Sequence, residues 1–172
     1  MAPEDPEPSV RTRTVPALWW ACAAYTWARL LLAVSSPART FADSASFDWS
    51  GWGSTVRPLL PSMLFDALGP PAAIVLVNAL VAGGTWSWLL VELWRTTRPV
   101  SRSLSVSTVA VLAIGSLSAP VVVWDRMVLS ESLAYSMVAA IVAALLRFLR
   151  TGRRPVAGAW VLALCFVSGA GS

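Results

Sequence analysis

Nine side chains in this 172-residue chain are acidic and thirteen are basic, and every basic one is arginine, because Lys and His are both absent. General-base or metal-binding chemistry therefore falls on carboxylates. Four of these group by position: Asp43 and Asp48 lie between the first two apolar blocks, Asp125 between the third and fourth, and Glu131 about a turn into the fourth. Arg57 shares the first of these stretches and carries a planar fork of donors suited to phosphate or carboxylate. Carboxylates drawn from two neighbouring loops can deprotonate a sugar hydroxyl or hold a divalent cation, Mg or Mn, with Asp43 and Glu131 as its ligands. Arg57 can then neutralise a lipid phosphate at the same interface. The plainer reading is that acidic residues avoid lipid and collect wherever loops are.

The elements that must position these groups are set by hydropathy. Hydrophobic residues make up 56% of the chain and charged residues 13%, with a mean hydropathy of +0.66, against about 25% charged in water-soluble domains. The apolar residues fall into five blocks at roughly 16–36, 72–93, 104–124, 127–149 and 156–172. A hydrocarbon core of about 30 Å needs roughly 20 helical residues, and lipid leaves no other way to satisfy the peptide groups. The expected fold is all-α: a polytopic transmembrane bundle of about five spans over residues 15–172, behind a polar, disordered tail at 1–14.

Charge distribution orients the bundle. Arg11 and Arg13 precede the first block, Arg95, Arg98 and Arg102 fill the second connection, and Arg147, Arg150, Arg153 and Arg154 fill the fourth. The first and third connections hold only Arg39, Arg57 and Arg126, and Asp43, Asp48, Asp66, Asp125 and Glu131 collect there. This is the positive-inside pattern, with a cytoplasmic N-terminus in the plasma membrane, acidic loops outside, and no nucleic-acid partner implied by the net charge. An acidic leader and Arg29 within the first block argue for an anchored span over a cleaved signal peptide. The external loop at 37–70 is long enough to carry function. In it Trp49 and Trp52 suit headgroup level, and Leu60, Met63, Leu64, Ala67 and Leu68 share one face of an interfacial helix opened by Pro61.

Several other residues have structural readings. Arg29, near the outer end of its span, is expected to snorkel. Asn78, Gly83 and Gly84 point to close helix packing. The pairs Trp19–Trp20 and Trp86–Trp88 read as span-end belts. Cys22 and Cys165 fall in different spans and need be no more than small hydrophobes. Glu131, about a turn into the fourth block, should face protein or a water-filled cleft.

Two stretches go further. Phe41, Ala42, Asp43, Ser44, Ala45, Ser46 and Phe47, followed by Arg57, Pro58, Leu59, Leu60 and Pro61, resemble the first external loop of GT-C glycosyltransferases. Those are multispanning enzymes that take sugars from polyprenyl-phosphate donors at the outer membrane face. The run Trp124, Asp125, Arg126, Met127, Val128, Leu129, Ser130, Glu131, Ser132 and Leu133 is similar to the Leu-Ser/Thr-Glu-Ser-Leu motif that opens the fourth span in the same group. Phe47 stands where Tyr is commoner, and the arginine-proline run is one residue shorter than usual.

The resemblance implies an inverting sugar transfer in which Asp43 is the catalytic base or metal-associated carboxylate. Glu131, with Asp125, faces it across the site, while Arg57 supports the loop or contacts the donor phosphate. Family members carry more spans than this chain, which makes it an incomplete module awaiting a C-terminal part or a partner subunit. Two other readings compete: a small noncatalytic membrane protein packed against a partner, and a transporter fragment. A transporter should place its polar residues near the midplane, on broken helices. The Ala- and Arg-rich, Lys-free usage resembles that of a GC-rich bacterial genome.

Overall fold

The computed structural model of the chain describes residues 14–35, 37–38, 67–127 and 131–152. These form α1 (Thr14–Val34), α2 (Pro71–Thr97), α3 (Arg102–Ser116), α4 (Ala119–Asp125) and α5 (Glu131–Thr151), with no strand among the described residues. At 1.5 Å per residue, the 21 residues of α1 and of α5 extend about 30 Å, and the 27 of α2 about 40 Å. All three are long and apolar enough to cross a membrane. The chain is membrane-associated. Of the tail expected at 1–14 only Thr14, the first residue of α1, is described; of the interfacial helix opened by Pro61 only Ala67 and Leu68 are described; the fifth block at 156–172 lies outside the described residues.

Local chemistry sets the helix ends. Gly69 turns the chain at φ 71, a conformation that only glycine adopts without strain, and Pro71 opens α2, where its missing N–H costs nothing. The hydroxyl of Ser101 accepts from the Leu104 amide at 3.4 Å and caps α3. At the far end of α5, Gly152 takes φ 64 and its amide returns to the Phe148 carbonyl at 2.8 Å.

The expected third span, 104–124, is two helices. Leu117 and Ser118 separate α3 from α4, and the axes bend by 56°. Pro120 is the cause, because a continuous helix needs the residue-120 amide to reach the Ser116 carbonyl, and proline has none. Taken together, the bent pair is long and apolar enough to count as one broken span. The next described helix is α5, Glu131–Thr151, within the expected fourth block and its following loop.

α2 is the central element and packs against α1, α3 and α5. It runs antiparallel to α1: Ala33 meets Val75 and Ala79 near one end, while Thr26 reaches Ser87 at 3.2 Å two turns further along. It runs parallel to α5, with Leu89 against Ala139 and Ala143 and, further along both helices, Glu92 against Arg150. The interior is small and polar: Ala33, Ala79, Ala82, Ala139, Ala140 and Ala143 share it with Arg29, Asn78, Glu92, Asp125 and several serines. Large apolar side chains such as Leu31, Val111, Ile114, Leu145 and Leu149 are instead exposed. That inversion of the water-soluble pattern belongs to helices solvated by lipid and joined by close packing.

One end of the bundle carries the end of α1, the start of α2, the end of α4 and the start of α5. We call it the acidic end, for Asp125 and Glu131. At the opposite, basic end α2 and α5 finish and α3 begins, among Arg95, Arg98, Arg102, Arg147 and Arg150.

Candidate functional site at the acidic end

The centre of the acidic end is an ion pair. Arg29 on α1 donates from Nε to Asp125 Oδ2 at 2.8 Å and from Nη2 to Oδ1 at 3.3 Å, and both side chains are 2% exposed. The snorkelling expected of Arg29 therefore does not occur. The reason lies in the kink: Pro120 leaves the Ser116 carbonyl without a helical partner, and Arg29 Nη1 donates to that oxygen at 3.0 Å. The same nitrogen reaches Tyr25 Oη at 3.3 Å. Because the Ser116 hydroxyl donates to the Ala113 carbonyl at 2.9 Å, Tyr25 is the donor in its 2.7 Å contact with Ser116 Oγ. The guanidinium carbon also stands 5.7 Å from the centre of the Trp86 ring. A buried arginine needs such a set of partners, since an unpaired charge in this medium is costly.

Asp125 is likewise committed. Beyond its two bonds to Arg29, Oδ1 accepts from the Ser132 hydroxyl at 3.0 Å. Both oxygens are engaged within the protein, so here Asp125 joins α1, α4 and α5 and does not present a free carboxylate to a ligand. Its neighbour Arg126 extends the fastening. Arg126 Nη2 donates to the Leu32 carbonyl in the last turn of α1, which also accepts from the Ser35 hydroxyl at 2.8 Å, and to Ser35 Oγ at 3.1 Å. Asn78 Nδ2 reaches the Met127 carbonyl at 3.4 Å, so its bond runs to the chain leaving α4 and not to a facing helix.

Glu131 is the first residue of α5, directly before Ser132. Its side chain, and the residues Asp43, Asp48 and Arg57, lie outside the described residues. What is described is where their segment is attached. Ala38 packs on the cluster of Ala33, Val75, Ala79 and Val122, and α2 resumes after Gly69 beside the same cluster. The chain from 39 to 66 thus departs from and returns to the acidic end, where α5 begins. Among the described residues, no three Cys, Asp or Glu side chains converge as a metal site.

Other expectations change with the structure. Gly83 does mark a close approach: a Cβ there would lie 2.7 Å from Thr26 Cγ2. Trp19 and Trp20 are exposed on α1 as belt residues would be, but Trp86 and Trp88 sit at mid-helix in α2, with Trp86 beside Arg29. Trp86 also lines an open apolar groove of about 530 Å³ with Leu93, Leu112, Gly115 and Val121. Glu92 was not singled out from the sequence, yet it is buried at the basic end with ion pairs to Arg95 and Arg150. The available signal was a carboxylate inside an apolar block, three residues before an arginine. Comparison with known protein families, curated proteins and solved structures finds no match to this chain.

Proposed function

We propose that the chain is a GT-C-like membrane glycosyltransferase, or the N-terminal part of one, moving a sugar from a polyprenyl-phosphate donor at the outer face of the plasma membrane. One observation carries the reading. The described chain leaves at Ala38 and returns before Gly69 at the bundle end where α5 starts with Glu131, which supports the two motifs facing one side of the membrane.

In this reading Asp43 takes the acceptor proton as the sugar leaves its phosphate carrier, and Glu131 faces it. A divalent cation bridges the two carboxylates if one is used. Arg57 meets the donor phosphate, and stabilisation of that departing group is the main electrostatic demand. Asp48 stays with the loop as a substrate contact. Asp125 takes a different part from the one its motif suggests, holding the start of α5 through Ser132. The apolar groove beside Trp86 offers lipid-side room for an isoprenoid chain. With the basic end in the cytoplasm, the N-terminus is cytoplasmic and the site external.

A second reading rests on α3, which buries only Ser105 and Ser116 and leaves Val106, Val111 and Ile114 exposed. Such a face suits a partner membrane subunit or further spans, in a protein that packs without catalysing.

The test is sugar transfer from a polyprenyl-phosphate donor by membranes carrying the protein, comparing wild type with Asp43→Asn and Glu131→Gln. Loss of a general base should lower turnover by roughly 10²–10⁴-fold. Undiminished transfer by Asp43→Asn would contradict the assignment, and no transfer by any form would leave the packing protein as the better reading.

A further inference from the structure

The basic end holds a second constructed arrangement, independent of any reaction at the acidic end. Glu92, on the last turns of α2, has a side chain only 1% exposed and accepts from Arg150 Nη2 at 2.8 Å and from Arg95 Nη1 at 3.4 Å. Arg150 comes from the last turn of α5, so the pair ties the two helix ends together. One turn further along, the Arg98 guanidinium stands 5.6 Å from the centre of the Trp94 ring. Trp94, Arg95, Arg98, Pro99 and Arg150 then wall a cavity of about 640 Å³ at the bundle end, inside the range of roughly 300–1,000 Å³ common for small-ligand sites.

Three guanidiniums and one carboxylate leave two positive charges around this cavity. Among the described residues, Arg95 and Arg150 each spend one N–H on Glu92, and most of their donors remain for another acceptor. Topology alone does not account for the arrangement, because retaining a loop in the cytoplasm needs exposed arginines and not a buried carboxylate. Nor does the helix dipole, which favours cations at helix ends but asks for no cavity between them. A buried glutamate has a desolvation cost that its two partners must offset. What it achieves is to hold two flexible guanidiniums on one wall, facing a third that is stacked on an indole. Planar, oriented donors of this kind suit phosphate oxygens. Tryptophan at a helix end marks the headgroup level of a bilayer.

We propose that this cavity binds the phosphate of an anionic phospholipid headgroup, a phosphodiester unaccompanied by a headgroup ammonium. Such a lipid would sit where α2 and α5 end, with its chains along the exposed apolar faces below, and basic pockets between membrane helices are recognised sites of this type.

The test uses the full chain in mixed bilayers at fixed ionic strength. It measures, by electron spin resonance of spin-labelled lipids, the preference for phosphatidylglycerol over phosphatidylcholine. Arg98→Gln is the informative variant, because Arg98 is exposed and leaves the Glu92 pairs intact. It should reduce the preference about fivefold. Arg102→Gln removes the same charge from the same end without lining the cavity, and it should leave the preference unchanged. Equal losses in the two variants, or no preference in the wild type, would overturn the site in favour of diffuse surface charge. Inorganic phosphate replacing chloride separates the sources: unchanged lipid preference is expected, and displacement of the labelled lipid would show a site for soluble phosphate and overturn the lipid assignment.

Discussion

At the scale of single residues, the unusual commitment is a charge pair deep in a lipid-solvated bundle. Arg29 and Asp125 form a near-bidentate pair at 2.8 and 3.3 Å, with Ser116, Tyr25 and Ser132 completing the shell. Each partner is costly alone, so removing one should do more damage than removing both. Asp125→Asn leaves the Arg29 charge buried without its counter-ion and should destabilise the bundle by about 3–5 kcal/mol. Arg29→Met combined with Asp125→Leu should recover much of that loss, because well-packed apolar groups often replace a buried pair without penalty. Unfolding in mixed micelles with increasing denaturing detergent measures both. If the double variant is less stable than Asp125→Asn, the pair is not the source of the cost. Arg29 also shows how far residue-level reading reaches. Its sequence position near a span end is compatible with snorkelling, and only the bend at Pro120 brings an unpaired carbonyl and a carboxylate within its reach.

At the scale of elements, the helices were readable because spanning length and apolar composition are written along the chain. The first, second and fourth blocks return as α1, α2 and α5 with ends shifted by a few residues. The turn-forming run Gly69, Pro70 and Pro71 stands where α2 starts. Hydropathy averages over a break, however, and Pro120 stands inside an otherwise apolar run, so the division of α3 from α4 was not legible that way. The partners of Asp125 and Glu92 were hidden for a related reason: ion pairs across helices depend on rotation and crossing, which no single segment encodes. Gly83 was legible as a packing residue, and its contact can be tested. A methyl group at this position meets Thr26 Cγ2 at 2.7 Å, and neither backbone can yield without moving α1 from α2. Gly83→Ala should therefore cost about 1–3 kcal/mol. Thr26→Ser removes the offending methyl while keeping the hydroxyl that meets Ser87 at 3.2 Å. In that background the same glycine change should cost less, the Thr26 Cα and Cβ at 3.3 Å being the contacts that remain, and an equal loss in both backgrounds would place the effect elsewhere.

At the scale of the whole molecule, the alternation of α1, α2, the bent pair and α5 sorts the charges by end. At the acidic end, among the described residues, Arg29 is paired with Asp125 and Arg126 donates to the last turn of α1. The basic end keeps Arg95, Arg98, Arg102, Arg147 and Arg150 against one buried carboxylate, Glu92. Arginines beside span ends are the positive-inside signal, and their excess at this end makes it the one expected in the cytoplasm. Pro37→Cys, exposed just beyond α1, should react with a membrane-impermeant maleimide in intact cells. Ser103→Cys, exposed at the start of α3, should react only after permeabilisation. Both belong in a background with Cys22 and Cys165 replaced by serine, so that the introduced thiol is the one labelled. The reverse pattern would put the segment carrying Asp43 in the cytosol, away from any donor at the outer face. Sugar transfer there would then have no substrate, while the helix packing described above would stand unchanged.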